Sequence, residues 1–116
     1  MIIKNPDYPV RVVEHMMGGE GKFIIEDILR PDEMHGKGRL FARGTLMPND
    51  SVGYHIHEKD MEICYFLSGQ GVVEDENGCK TEVSAGDTNI VDVGHGHKIT
   101  NTGAEPLVYI AVILFA

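Results

Sequence analysis

No stretch of the 116-residue sequence holds a helical hydrophobic period between caps; about ten short runs are instead cut apart by Gly, Pro, Asn and Asp turns. A chain punctuated this often has to fold as paired strands, and the expected class is an all-β barrel or sandwich. The runs are Val10–Glu14, Phe23–Leu29, Leu40–Met47, a strand carrying His55 and His57, Glu62–Leu67, Val72–Glu74, Lys80–Val83, Thr88–Val91, His97–Asn101 and Leu107–Phe115. Asp75-Glu76-Asn77-Gly78 is the strongest hairpin signal, because Asn-Gly accepts the positive φ angles of a tight turn. Residues 1–9 contain Pro6 and Pro9 and read as an extended arm. Gly18-Gly19-Glu20-Gly21 is glycine-dense like a phosphate loop, but no Gly-Lys-Ser/Thr follows and no βαβ pattern surrounds it, so a hairpin turn is expected. Arg30 to Gly38 is a polar loop in which His35 is solvated.

Alternation within residues 39–47 does not choose the inward face. Arg39, Phe41, Arg43, Thr45 and Met47 share one side; Leu40, Ala42, Gly44 and Leu46 share the other. Leu107–Phe115 is apolar on both sides.

The length suits a single domain over residues 1–116 that can bury a core without disulfide staples, with 1–38 as arm and outer strands and 39–116 as the barrel. Eighteen acidic against ten basic residues, without a basic cluster, argue against nucleic acid and against an anionic membrane surface. The N-terminus lacks the charged head, apolar run and cleavage site of a secretory signal, and a cytoplasmic location is expected. The longest apolar run, Leu107–Ala116, is about half of what a membrane-spanning helix needs. Cys64 and Cys79 form no C-x-x-C pair; Cys64 is expected to be buried and Cys79 to sit in an exposed turn, both as free thiols.

Chemistry concentrates in His55-Ile56-His57-Glu58-Lys59-Asp60-Met61-Glu62. Histidines at i and i+2 on a strand point to one face, and Glu62 returns on the next strand, so two imidazoles and a carboxylate can converge on a divalent metal. The His-x-His spacing taken alone is equally a solvated strand face. His97 adds weight, since it opens a strand after a Gly-bounded bend in a chain whose strands bring distant segments together.

At these residues the sequence resembles the cupin superfamily, with motifs G-x5-H-x-H-x(3,4)-E-x6-G and G-x5-P-x-G-x2-H-x3-N. His55, His57, Glu62 and Gly69 keep the first spacing; Gly86, Gly94, His97 and Asn101 keep the second. Asn49 replaces the opening glycine of the first motif, as the non-glycine residue best able to take positive φ. Asp92 replaces the proline of the second. The resemblance implies a double-stranded β-helix (jelly-roll) barrel with one divalent transition metal per chain held by His55, His57, Glu62 and His97. Further similarity is to small stand-alone bacterial cupins described as oxalate-decarboxylase-like, through Gly53-Tyr54-His55, Tyr65-Phe66-Leu67-Ser68-Gly69 and Asn101-Thr102-Gly103.

Three neutral imidazoles and one carboxylate would leave such a metal with a net charge of about +1 and open positions for a bidentate anion. Oxalate, a 2-oxo acid, a 2-hydroxy acid or a sugar-like acid fits that description. Ligand type leaves Mn, Fe, Co, Ni, Cu and Zn open. No catalytic residue is assigned; Arg43 and His95 are the candidate substrate-binding residues. Two functions stay open: a metal-dependent decarboxylase, isomerase or dioxygenase, and a non-catalytic cupin that binds a small ligand or metal. The Pro-containing arm and the two-sided apolar terminal strand lead to the expectation of a homodimer.

Overall fold

Ten strands cross back and forth between two antiparallel sheets in the computed structural model, which describes residues 1–116. They are β1 (Val10–Glu14), β2 (Lys22–Leu29), β3 (Gly38–Leu46), β4 (Ser51–Ile56), β5 (Asp60–Ser68), β6 (Gln70–Asp75), β7 (Lys80–Ser84), β8 (Thr88–Val91), β9 (Gly96–Asn101) and β10 (Leu107–Phe115). One sheet runs β1-β2-β3-β10-β5-β8 and the other β4-β9-β6-β7. From β3 onward the chain changes sheet at nearly every connection, with only β6 and β7 staying together, and this alternation defines a double-stranded β-helix. The strands fall where the apolar runs predicted them, and Asp75–Cys79 closes the β6–β7 hairpin as the Asn-Gly signal required. No helix is long and apolar enough to cross a membrane.

The core lies between the sheets. Phe23, Ile25, Leu46, Phe66, Ile99, Leu107 and Tyr109 are buried there, with Cys64 and Ala111 filling the narrow places. The inward face of β3 is the one carrying Ala42, Gly44 and Leu46. The reason is steric: the Phe23 ring packs so closely over Gly44 that a Cβ there would stand 2.3 Å from it. Arg43 consequently faces outward. In β10, which runs between β3 and β5, Leu107, Tyr109, Ala111 and Ile113 point inward while Val108, Ile110, Val112 and Leu114 are half-buried on the outer side.

Two asparagines hold the turns at the ends of β4 and β9 remote from His55 and His97. Asn49 adopts φ 71°, the left-handed conformation expected where it replaces glycine, and donates its N–H to Asn101 O. Asn101 is fully buried; its Nδ2 donates to Leu46 O and Glu105 O, and its Oδ1 accepts from Gly103 N–H. The β1–β2 connection is longer than a plain hairpin turn: a 3-10 turn at Met16–Gly18 folds against β4. Gly53 makes that approach possible, because a Cβ on it would lie 2.1 Å from Met17 O. The N-terminal arm contains a 3-10 turn at Asn5–Asp7, and Asn5 accepts a hydrogen bond from Arg43 on the outer face. Cys64 is buried and Cys79 exposed, both as free thiols.

Candidate metal centre

His55 of β4 stands opposite His97 of β9 in the strand register, and both side chains turn into the barrel. His57 lies just past the end of β4, but the ladder continues through it: its N–H donates to His95 O and its carbonyl accepts from Gly94 N–H. The i, i+2 alternation therefore survives, and His57 joins His55 on the same face. Glu62 arrives from β5 in the opposite sheet. The result is a cluster of His55, His57, Glu62 and His97 whose ligand-type atoms all lie within 4.8 Å of one another.

Hydrogen bonds behind the rings set their orientation. The Nδ1–H of His55 donates to Gly53 O at 2.8 Å, that of His57 to Asp60 Oδ1 at 2.6 Å, and that of His97 to Asn89 Oδ1 at 2.7 Å. With each Nδ1 proton committed to an oxygen, each neutral ring presents an Nε2 lone pair to the interior. His97 Nε2 lies 3.2 Å from His55 Nε2 and 2.8 Å from Glu62 Oε1; His57 Nε2 is 3.3 Å from Glu62 Oε1. His57 Nε2 is buried and makes no hydrogen bond. Three lone pairs and a carboxylate crowded together repel one another unless a cation stands among them, and either protons or a metal ion can supply it. The donor set fits a divalent transition metal on these grounds.

The protonation equilibria carry the same signature. Burial pushes the Glu62 carboxyl up, but its interactions with His57 and His97 override that and hold it down at about 2. The Glu62 carboxylate raises His57, with Asp60 adding to the effect. His55, by contrast, is lowered by burial. Burial also raises Asp60, yet hydrogen bonds from Arg39 and His57 bring it below its ordinary value. Asp60 thereby links the exposed Arg39, whose Nε donates to it at 2.7 Å, to the buried His57.

The cluster sits in an open cleft of about 730 Å³. Met16, Met17, Phe23, Leu40, Val52 and Ile113 give it apolar walls; Arg11, Asp27, Arg30, Asp32 and Arg39 line it as well. Arg11 and Asp27 form a two-point pair at 2.9 and 3.1 Å. None of these charged residues was singled out by sequence reasoning. Asp27 was the detectable one, since it continues the inward series Phe23, Ile25, Asp27 along β2.

Neither residue expected to touch substrate lies in the cleft. Arg43 is on the outer face of β3, where it forms a two-point pair with Glu26 at 2.6 and 3.2 Å, because the inward positions of that strand belong to Ala42 and Gly44. His95 is exposed and paired to Glu76, in a second depression lined also by Asp75, Cys79 and Asp92 that meets the cleft at His97. It precedes β9 and is not among the residues that line the cleft.

Fold and site together define a cupin, and the Cupin domain family matches residues 42–113, so the chain belongs to that family. It is 40% identical over 114 residues to the oxalate-binding protein of Thermotoga maritima, spanning 98% of this chain and 93% of that one. The crystal structure of a predicted oxalate decarboxylase from Thermotoga maritima superposes with a TM-score of 0.94 at 40% identity, covering all of both chains. The polyketide cyclase RemF of Streptomyces resistomycificus shares the fold at 18% identity and a TM-score of 0.81, with 98% of this chain and 78% of that chain covered.

Proposed function

We propose that this cupin holds one divalent transition metal through His55, His57, Glu62 and His97 and uses the site to bind a small carboxylate anion. The observation that carries the reading is the buried, unpartnered Nε2 of His57, aimed with two other Nε2 atoms and a carboxylate at one point. A metal held there would supply Lewis acidity toward a carboxylate or an α-oxo acid. Asp60, Asn89 and Gly53 O hold the three rings in the ligating tautomer. The apolar walls limit water around the anion, and this strengthens its attraction to the site. The likeness to an oxalate-binding protein supports oxalate or a 2-oxo acid as the anion class.

Binding without turnover is the reading favoured by the neighbouring carboxylates. Asp27 is held by Arg11, and Asp60 by Arg39 and His57, so neither is free to shuttle protons to a bound acid. A decarboxylase is the second reading, supported by the description of the Thermotoga maritima structure. Elemental analysis of His57→Ala and His97→Ala, with circular dichroism as a folding control, tests the metal; near-complete loss of metal is expected. Calorimetry with oxalate should give binding to the metal-loaded protein and none to the metal-free protein. Carbon dioxide release from oxalate would move the protein to the second reading.

Residues 1–116 are proposed to act as one cupin domain in the cytoplasm. The segment 1–38 does more than flank the barrel, since it supplies Arg11, Met16, Met17 and Asp27 to the cleft. A homodimer is proposed through the outer face of the larger sheet.

A further inference from the structure

The cleft is much larger than oxalate needs. Oxalate is two joined carboxylates, whereas a space of about 730 Å³ falls in the range that accommodates drug-sized ligands. The surplus room is apolar: Met16 and Met17 come from the β1–β2 connection, Leu40 and Ile113 from the larger sheet, and Val52 from the strand that carries His55.

Most of the charge in the cleft is already paired within it. Arg11 is already engaged at two points by Asp27, Arg39 is engaged by Asp60, and Arg30 shares its turn with Asp32. Apart from Arg30 and Asp32, which form no ion pair, the side chains that remain unmatched are the hydrophobic ones. Thioethers are suited to this position, because methionine adapts its shape to whatever apolar group it meets. Met17 also holds φ 54°, and His15 φ 51°, so the chain adopts the left-handed conformation twice while passing beside the cleft.

We propose that the ligand of this cleft is a 2-oxo or 2-hydroxy acid with an apolar side chain of about four carbons or more, its carboxylate end at the histidine cluster and its side chain against Met16, Met17, Leu40 and Val52. The inference rests on the metal-binding reading above and adds the ligand's body to it.

A series with one chelating end and a changing tail tests it. Protein loaded with Co²⁺ is titrated with oxalate, pyruvate, 4-methyl-2-oxopentanoate, phenylpyruvate and 2-oxoglutarate, and the cobalt absorption bands and calorimetric heats are followed together. Affinity is expected to rise at least about tenfold from pyruvate to 4-methyl-2-oxopentanoate, about what burying two or three methylene-sized groups gives. For 2-oxoglutarate no comparable rise is expected. Met17→Gly, a substitution its left-handed backbone favours, should shrink the ratio between the apolar acid and pyruvate. Equal affinity for pyruvate and the apolar acids, or a preference for 2-oxoglutarate, would overturn the inference while leaving the metal reading intact. Failure of Co²⁺ to bind, or of every acid to perturb its bands, would overturn both.

Discussion

His57 donates its Nδ1–H to Asp60 Oδ1 at 2.6 Å across the turn that joins β4 to β5. Asp60 is three residues further along the chain, and the same turn returns the strand that carries Glu62. One short connection thus sets the tautomer of one candidate ligand and delivers another. Asp60→Asn should lower metal affinity about 10- to 100-fold, because an amide can rotate to present a donor to Nδ1 and the ring loses a charged orienting partner. Metal competition with a chromophoric chelator gives the number, and unchanged affinity would show that Asp60 does not orient the ring.

Acid should release the metal, with the onset set by His57. Its folded value is raised above the ordinary 6.5 by Glu62, so in metal-free protein it takes up a proton at higher pH than an isolated histidine. A proton on Nε2 excludes a metal there, and affinity must fall as pH drops through that raised value. Glu62 is held at about 2 and stays a carboxylate throughout this range. The logarithm of the metal affinity plotted against pH should therefore begin to bend above pH 6.5, and a bend confined to the carboxylate range would contradict the assignment.

How far the site could be read from sequence depended on the range of each interaction. His55, His57, Glu62 and His97 stood out because ligand chemistry imposes a spacing within each strand, and the turn residues between them are equally constrained. Asn89 had no such mark; it reaches His97 only because β8 pairs with β5 and places Asn89 opposite Cys64. Arg11 and Asp27 sit in strands that looked peripheral, and it is the β1–β2 register, Arg11 opposite Ile25, that turns them inward. The side on which Arg43 lies was left open for a different reason. Parity gave two equivalent faces for its strand, and the packing of Phe23 on Gly44, a contact between strands, made the choice.

Arg43 and His95 should be dispensable for ligand binding. Arg43→Gln removes a partly exposed pair with Glu26 and is expected to cost about 1 kcal/mol or less of stability, read as a small shift of the urea midpoint. His95→Gln should leave metal content and oxalate affinity unchanged. A tenfold loss of oxalate affinity in either variant would return that residue to the site.

Asn101 is expected to matter for folding. Alanine there would leave Leu46 O, Glu105 O and Gly103 N–H without their present partner, the first of these bonds buried and the other two partly buried. Unmet hydrogen bonds of this kind, net of water that reaches the turn, suggest a loss of about 3 kcal/mol. Asn101→Asp keeps the acceptor for Gly103 but turns both donors into acceptors facing carbonyls, so it should be at least as damaging. Chemical denaturation of the two variants checks the order.

The outer face of the larger sheet gives the last prediction. Phe41, Val112, Ile63 and Ile90 are paired across β3, β10, β5 and β8 in one row, and Tyr65 lies opposite Ile110 in the next. Ile90 is 62% exposed and Tyr65 46%, although both belong to this continuous apolar stripe. The N-terminal arm covers only the part near Arg43, Glu26 and Ile110, where Asn5 and Tyr8 lie. An apolar surface of this extent on a chain of formal charge −8 is unusual for a monomer, since charge keeps the remainder of the molecule soluble while the stripe stays uncovered. A second copy, meeting it about a two-fold axis, would bury the same stripe on both partners at once. Light scattering at micromolar concentration should give twice the 12.8 kDa chain mass. Ile90→Lys combined with Tyr65→Lys should yield monomers that keep the fold and the metal, because both side chains point away from the cleft. Wild-type protein that scatters as a monomer would reject the dimer.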